Sequence, residues 1–142
     1  MDTTESLFDA ATWNDWVKDA DSKIKDPRNR KNIYIRGQKV QPLPSLEMLE
    51  NKVCVYAIWE NDCIVYIGKS KKASDRLIDH ITNDPQGTHH NEKVHIDQSV
   101  ANNNSISISA AVVSELIYSS IEESLIVENK TLVPNGWNKR LG

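Results

Sequence analysis

Two tyrosines, an arginine and a glutamate follow one another along the chain in an order that could support phosphodiester hydrolysis. Tyr56 and Tyr66 lie ten residues apart in two short apolar runs, Arg76 follows in a helical pattern, and Glu122 lies in a later one. A guanidinium stays charged and can hold a phosphate through two hydrogen bonds. A carboxylate binds divalent cations, and a phenol can orient or deprotonate a water molecule. These groups can act together only if folding brings them to one cavity.

A β-hairpin is predicted to position the two tyrosines. The runs Val53–Trp59 and Cys63–Gly68 are rich in β-branched and aromatic residues, and residues 60–62 separate them. If residues 60–62 all form the loop, Tyr56 stands opposite Tyr66 on one face of the hairpin. A two-residue loop would place the two side chains on opposite faces. A shared tyrosine site therefore predicts the three-residue loop.

Apolar periodicity predicts an α+β fold with a small, three-stranded, mainly antiparallel sheet flanked by helices. Residues 88–104 are polar and show no period, so we expect them to form a long surface loop. The other predicted elements are helices over about Leu7–Lys25, Leu46–Asn51, Ala73–Thr82 and Ser114–Asn129, and a central third strand over Ser105–Val113.

Positive charge is concentrated in a segment that precedes the hairpin. Lys23–Lys39 holds seven cations and one anion, although the whole chain has a net charge of −3. Its alternating residues predict a basic hairpin or extended arm within an N-terminal part, residues 1–50, and a proline-rich linker leads to a functional domain over residues 51–142. Clustered cations can contact phosphates, and a solvated surface is the alternative interpretation. The residues predicted to contact nucleic acid are Arg28, Arg30, Lys31, Tyr34, Arg36 and Lys39, with Lys71 and Lys72 after the second tyrosine.

Helix geometry distinguishes Glu122 from its neighbour Glu123. Ile117, Ile121 and Leu125 form the apolar stripe of the last predicted helix. Glu122 lies beside this stripe, at the edge of the buried surface, whereas Glu123 points further toward solvent. A partly desolvated carboxylate attracts a cation more strongly, so Glu122 is the preferred metal ligand. A solvated surface position is the commonest alternative for a helical glutamate.

The histidines are less informative. His80 follows Arg76 by four residues, so both side chains project from the same face of a predicted helix. His80 could donate to a phosphate or exchange a proton with water, and a capping or surface position is the alternative. The spacing of His89, His90 and His95 does not predict a zinc site, and the sequence leaves their role open.

Composition excludes several other classes of protein. A chain of 142 residues with 39% hydrophobic and 26% charged residues is typical of one soluble globular domain. The longest apolar run, Val53–Trp59, is far too short to span a membrane, so no membrane partner is expected. The first residues lack the basic start and apolar core of a secretory signal. This predicts a cytoplasmic location and leaves export by a signal-independent route open.

Taken together, these motifs resemble the signature of the GIY-YIG nuclease superfamily. The pattern is closest to the restriction-endonuclease branch of that family, although Cys54 stands where glycine is usual. The resemblance covers more than half of the chain. It is carried by Cys54-Val55-Tyr56, Tyr66-Ile67-Gly68, Arg76 with His80, Glu122 within Ile121–Ile126, and Pro134 with Trp137-Asn138.

The resemblance implies a role for each matched residue. Glu122 is expected to bind one divalent ion, Mg²⁺ or Mn²⁺, and Arg76 to neutralise the charge of the reacting phosphate. Tyr56, assisted by Tyr66 and Lys69, is expected to orient or deprotonate the attacking water. The full set implied by the resemblance is Tyr56, Tyr66, Lys69, Arg76, His80, Glu122 and Asn138, of which Asn138 supports the site.

The sequence therefore predicts a divalent-metal-dependent endonuclease that hydrolyses DNA, with double-stranded DNA the expected substrate. Restriction, a phage or mobile element, and a toxin delivered between cells are all compatible settings. A restriction enzyme would favour a homodimer, and a toxin would imply an inhibitor or immunity protein. A catalytically inactive nucleic-acid-binding module with the same fold is the main alternative. A protein-interaction domain, suggested by the tryptophans of the first helix, is the third.

Overall fold

The computed structural model describes residues 10–44, 46, 52–73, 77–83, 87 and 89–141. These residues form a mixed α+β fold in which helices flank an antiparallel sheet. Within these ranges, no helix combines the length and the apolar character that crossing a membrane requires. The elements are α1 (Ala10–Lys25), β1 (Arg30–Ile35), β2 (Gln38–Lys39), β3 (Lys52–Glu60), β4 (Cys63–Ala73), α2 (Leu77–Asn83), α3 (His90–Ala101), β5 (Ile106–Val112) and α4 (Tyr118–Asn129), and a short 3-10 turn at Pro27–Asn29 follows α1.

The sheet has five strands rather than the predicted three, in the order β2-β1-β5-β3-β4. The basic segment is not a separate arm, because its hairpin, β1 and β2, belongs to this sheet and β1 pairs with β5. Ile33 of β1 is fully buried in the core. One buried residue among many charged ones is a weak sequence signal for a sheet strand. The residue pattern therefore predicted an arm outside the sheet. The predicted central strand is confirmed, since β5 lies in the middle.

Each face of the sheet buries its own apolar cluster. The first cluster lies under α2 and α3 and includes Ile58, Ile78 and Ile96. The second lies under α1 and α4 and includes Ile67 and Leu125. Burial of such side chains contributes roughly 1.5–3 kcal/mol each, so the two layers together hold the sheet between four helices.

The serine and isoleucine alternation of β5 fits this two-faced arrangement. Ile106 and Ile108 belong to the first cluster. Ser109 points to the other face, where its hydroxyl accepts a hydrogen bond from Nε1 of Trp59 at 2.9 Å and donates to the carbonyl of Ile24 at 2.6 Å. The buried hydroxyl is therefore satisfied, and it joins the sheet to α1.

The predicted hairpin register is wrong, but Tyr56 and Tyr66 do lie on one face of the hairpin, as expected. Only Asn61 and Asp62 lie between β3 and β4, so the loop has two residues. Tyr56 is paired with Gly68, and Tyr66 is paired with Ile58. The register shifts by one residue between the pairs at Ile58 and Trp59, because β4 carries an extra residue there. This β-bulge returns the two tyrosines to the same face, where a regular two-residue hairpin would separate them.

The predicted loop over residues 88–104 is also wrong, because most of it forms α3. The buried positions of α3 are Glu92, Ile96 and Ser99, which recur at helical spacing. Two of these three side chains are polar, so apolar periodicity could not detect the helix. The predicted strand over Cys63–Gly68 is also longer than expected, since β4 continues to Ala73.

Candidate functional site at the edge of the sheet

A cavity of about 380 Å³, lined by several polar side chains and by Ile126, lies beside β4, the edge strand. It collects side chains from β4, α3, α4 and the C-terminal segment, although α3 and α4 cover opposite faces of the sheet. Both faces meet at an edge strand, which explains how residues from the two layers line one cavity. Its polar lining residues are Tyr66, Asn91, Glu122, Asn138, Lys139 and Arg140.

Tyr56 and Tyr66 form a neighbouring aromatic pair on β3 and β4. Their ring centroids are 6.2 Å apart, and Tyr56 is only 2% exposed, whereas Tyr66 is partly exposed to the cavity. The Tyr56 ring lies across Gly68, since a Cβ added to Gly68 would overlap that ring and lie 2.5 Å from its hydroxyl oxygen. Glycine at this position is therefore a packing requirement of the tyrosine opposite it.

Glu122 presents a buried carboxylate to the cavity. It is 7% exposed, and its Oε1 atom has no hydrogen-bond partner among the described residues. Burial raises the pKa of this carboxyl, and Lys69 opposes the shift. Its neighbour Glu123 is exposed, as helix geometry predicts. No hydrogen bond satisfies this oxygen among the described residues, although the Lys69 ammonium lies 3.5 Å from it, so the position attracts positive charge.

The donor set around Glu122 fits a hydrated ion better than a fully enclosed one. In the described part of the chain, His, Cys, Asp and Glu side chains form no group of three or more that could hold a metal. An ion at Glu122 would therefore keep most of its water, which is how Mg²⁺ usually binds to proteins. Structural zinc requires about four protein ligands and does not fit.

Lys69 contacts Glu122 rather than the tyrosines. Its Nζ lies 3.5 Å from Oε1 of Glu122 and 3.2 Å from the hydroxyl of Ser119. Both partners belong to α4, so Lys69 points away from the face of β4 that carries Tyr66. The expected assistance of Lys69 to Tyr56 is not supported by this geometry.

Asn138 ties the C-terminal segment to the edge strand. Its side-chain amide accepts from the Ile67 N–H and donates to the Ile67 carbonyl, both at 2.9 Å, and it also accepts from the Thr131 hydroxyl at 2.7 Å. The adjacent Trp137 N–H donates to the Val65 carbonyl at 2.7 Å. These bonds replace those of a sixth strand and cover part of the sheet edge. Asn138 therefore supports the site by positioning β4.

Glu92 is the site residue that sequence reasoning missed. It is 4% exposed on α3, and its Oε2 accepts a hydrogen bond from the Tyr56 hydroxyl at 3.4 Å. The same oxygen contacts Nδ1 of His89. The predicted loop hid this residue, because only a helix places Glu92 and Ile96 on one buried face.

Both phenols are held in their neutral form. Burial raises the pKa of Tyr56 and of Tyr66 well above the ordinary value, and the negative charge of Glu92 raises both further. A phenolate is therefore strongly disfavoured near neutral pH. Tyr56 is also buried and does not line the cavity, so of the two tyrosines Tyr66 is the one placed to orient a water there.

Among the other predicted residues, His80 and Lys71 lie outside this cavity. Arg76 lies outside the described residues, so its position stays a prediction. His80 is exposed on α2 and does not line the cavity. Lys71 pairs with Glu115 at 3.0 Å on the exposed surface, and the side chain of Lys72 is outside the described part.

The basic hairpin lies at the opposite edge of the sheet. Three strand spacings separate β1 from β4, which is about 14 Å. Arg30 is held in the protein, because its guanidinium lies 4.3 Å from the centre of the Trp59 ring and Nε donates to the Ser107 hydroxyl at 2.6 Å. Tyr34 packs against the first cluster, and burial raises its pKa. These two residues are structural in this arrangement.

The other residues of this region that were predicted to bind phosphate are more accessible. Arg28 is exposed, and it forms an ion pair with Asp26 at 2.7 Å. Arg36 and Lys39 are exposed, and Lys31 is half-buried. The hairpin and the 3-10 turn before it thus keep four cations that could contact phosphates, and this edge of the sheet is remote from Glu122.

Comparison of the chain with protein-family models, with curated proteins and with solved structures found no match. The resemblance to GIY-YIG nucleases therefore stays a prediction from the motifs.

Proposed function

We propose that this protein is a divalent-metal-dependent endonuclease that hydrolyses phosphodiester bonds in DNA. The observation that carries the proposal is the cavity beside β4, where Tyr66, Glu122 and Asn138 come together. These residues lie far apart in sequence, and each was chosen from the sequence motifs without reference to the fold. Their meeting supports the interpretation of the motifs as one site.

Each residue of the site would have a separate role. Glu122 would hold the cation through its buried Oε1 atom, which accepts no hydrogen bond among the described residues, and the Lys69 ammonium 3.5 Å away would have to yield to the ion. Tyr66 would orient the attacking water from the opposite side of the cavity. Asn138 would keep β4 in place, and Arg76 would neutralise the phosphate. Mg²⁺ bound at Glu122 would supply positive charge to the phosphate and to the departing 3′ oxygen.

The cavity also offers charge that suits a phosphate backbone. Lys139 and Arg140 are exposed and line it together with Asn91. Cations at the mouth of a site attract and orient an anionic strand. This supports a nucleic acid as the substrate, since these cations line the same cavity as Glu122.

A plasmid cleavage assay tests the proposal. Purified protein is incubated with supercoiled plasmid and Mg²⁺ or Mn²⁺, with and without EDTA. We expect nicking or linearisation that EDTA abolishes and that Glu122→Gln loses. Glu123→Gln is the matched control, because it changes the same charge one residue away at an exposed position. Cleavage by Glu122→Gln at the wild-type rate would overturn the proposal.

A non-catalytic nucleic-acid-binding module is the second candidate. The observation in its favour is Lys69, whose ammonium lies 3.5 Å from the Glu122 oxygen that a metal would need. An ammonium there could replace the cation and leave a binding surface without activity. DNA binding in a gel-shift assay without cleavage at any metal concentration would favour this candidate. Metal-dependent cleavage would exclude it.

A further inference from the structure

Asn91 lines the cavity beside Glu122 and has no role in the proposed mechanism. It belongs to the first turn of α3, and its side chain shares the cavity wall with Glu122 and Asn138. Its Nδ2 donates a hydrogen bond to the Trp137 carbonyl at 3.1 Å. Because only the nitrogen end of an amide can donate, this bond also fixes the direction of the oxygen, Oδ1.

The two asparagines of the cavity differ in what their side chains can still bind. Both ends of the Asn138 amide are occupied by Ile67 and Thr131. Oδ1 of Asn91, in contrast, accepts no hydrogen bond in the described part of the chain. It is not a buried atom either, since among the described residues Oε1 of Glu122 is the only buried side-chain oxygen or nitrogen that lacks a partner. Asn91 therefore keeps a solvent-accessible oxygen on a residue that lines the cavity.

Two oxygen acceptors thus line the cavity from elements on opposite faces of the sheet. Glu122 belongs to α4 and Asn91 to α3, and carboxylate and amide oxygens are the ligands that hard cations prefer. A water molecule bound about 2.1 Å from Mg²⁺ can itself donate to an acceptor about 2.8 Å away. A hydrated ion can therefore be held from two walls of a cavity without two direct protein ligands.

We propose that Asn91 is the second protein contact of the cation site, and that its Oδ1 accepts a hydrogen bond from a water molecule of the ion bound at Glu122. This rests on the metal site of the proposed function. The bond to Trp137 holds the amide in one orientation, so the acceptor is in place before the ion arrives. Asn91 is thus a positioning residue, which orients the water shell of the ion without adding charge to the cavity.

A purely structural role for Asn91 makes a different prediction. Asn91 could serve only to fasten the C-terminal segment to α3, and His95 provides a comparison because it fastens the same segment. The His95 ring stacks on the Trp137 ring with centroids 5.0 Å apart and planes 12° apart, and His95 does not line the cavity. If fastening is all that matters, Asn91→Ala and His95→Ala should weaken metal binding equally.

The test measures Mn²⁺ affinity in the absence of DNA, from the electron paramagnetic resonance signal of free Mn²⁺. We expect Asn91→Asp to tighten binding by about tenfold, because it places a negative charge beside the water shell of a divalent ion. Asn91→Ala should weaken binding by about tenfold, as loss of an outer contact does at other metal sites. His95→Ala should stay within about twofold of wild type, well below such a loss.

Gln98→Glu controls for the added charge in Asn91→Asp. It places the same charge at an exposed position about 10 Å further along α3, where salt screens it. Its Mn²⁺ affinity should stay within about twofold of wild type. Thermal melting checks that each variant folds. Tighter binding by an Asn91→Asp protein that melts at a lower temperature would support the proposal, because a residue that only fastens a segment cannot gain affinity when its bond is lost.

Two results would overturn the inference alone. The first is Asn91→Asp that binds Mn²⁺ no more tightly than wild type, and the second is an equal loss of affinity in Asn91→Ala and His95→Ala. The second comparison decides the question if Asn91→Asp does not fold. Glu122→Gln separates these results from a failure of the proposed function, since it should lose Mn²⁺ binding whatever Asn91 does. Undiminished binding by Glu122→Gln, or no binding by wild type, would remove the metal site and both proposals with it.

Discussion

The two edges of the sheet differ in the burial and the charge of their polar groups. At the β4 edge, two glutamates are buried within reach of phenols and a lysine, and Asn138 occupies backbone groups of the edge strand. At the β1–β2 edge, cations dominate and most are exposed or paired on the surface. Buried groups with fixed partners are suited to chemistry, whereas solvated charges are suited to long-range attraction. The molecule thus separates its candidate site from its basic surface.

Replacement of Asn138 should have the largest effect on stability. Asn138→Ala leaves the N–H and the carbonyl of Ile67 without their side-chain partner, and each unsatisfied buried group costs about 1–3 kcal/mol. We expect the free energy of unfolding to fall by about 3 kcal/mol in urea titrations, with loss of cleavage. The control is Asn135→Ala, an exposed neighbour that should change stability by less than about 0.5 kcal/mol. Equal effects would mean that Asn138 does not secure the β4 edge.

Neutralisation of Glu122 should have an intermediate and opposite effect on stability. Because burial raises the pKa of Glu122, ionisation of this carboxyl costs more in the folded protein than in the unfolded chain. Glu122→Gln should therefore unfold at a higher temperature near pH 7, by an amount that corresponds to about 1 kcal/mol, because the desolvation cost that it removes outweighs the attraction of Lys69 that it loses.

The same pKa shift fixes the pH dependence of that difference. The folded protein holds the Glu122 proton more tightly than the unfolded chain does, so protonation stabilises the fold. The stability that Glu122→Gln gains over wild type should be full above the raised pKa of Glu122. It should vanish below the ordinary value of 4.5, where Glu122 is protonated in both the folded and the unfolded wild type. Melting curves from about pH 3 to about pH 8 measure this across the window in which carboxylates titrate. A wild type that gains on the variant as pH rises would contradict the expected sign.

Charge reversal in the basic hairpin should have the smallest effect on the chemistry. Arg28→Glu, Lys31→Glu and Lys39→Glu together should weaken DNA binding and lower its salt dependence by about one unit of slope for each phosphate that the hairpin no longer neutralises. The rate at saturating DNA should stay within about threefold of wild type, because the hairpin is remote from Glu122. Arg30 is left unchanged, since its guanidinium packs on Trp59. A large fall in the cleavage rate at saturating DNA would contradict the separation of the candidate site from the basic surface.

Strong apolar patterns predicted the main elements well. The β3–β4 hairpin, the central strand and the last helix all carry long apolar or β-branched stretches, and all are present. The failures fall on α3 and on β1, where polar side chains occupy buried or half-buried positions. Hydrophobic periodicity cannot detect an element whose buried face includes Glu92 and Ser99, because their burial depends on partners from other elements.

Predictions about the candidate site also depended on whether one element or several elements determine a side chain's position. Glu122 was selected correctly as the buried glutamate of α4, since its neighbours on one helix determine that choice. Lys69 contacts α4 and not the tyrosines, because residues three apart on a strand, such as Tyr66 and Lys69, point to opposite faces of the sheet. His80 is exposed and does not line the cavity, so its contact with a phosphate stays a prediction, and a surface position was the alternative.

The sequence by itself determined the α+β class, the hairpin that carries Tyr56 and Tyr66, and the inward position of Glu122. These follow from local backbone preference and from the spacing of apolar residues, which act within one element. Only the tertiary structure decided that a bulge in β4 returns the tyrosines to one face, that Glu92 lies beside them, and that the basic hairpin occupies the far edge. These features depend on pairing and packing between distant segments, and that information is absent from any single stretch of the chain.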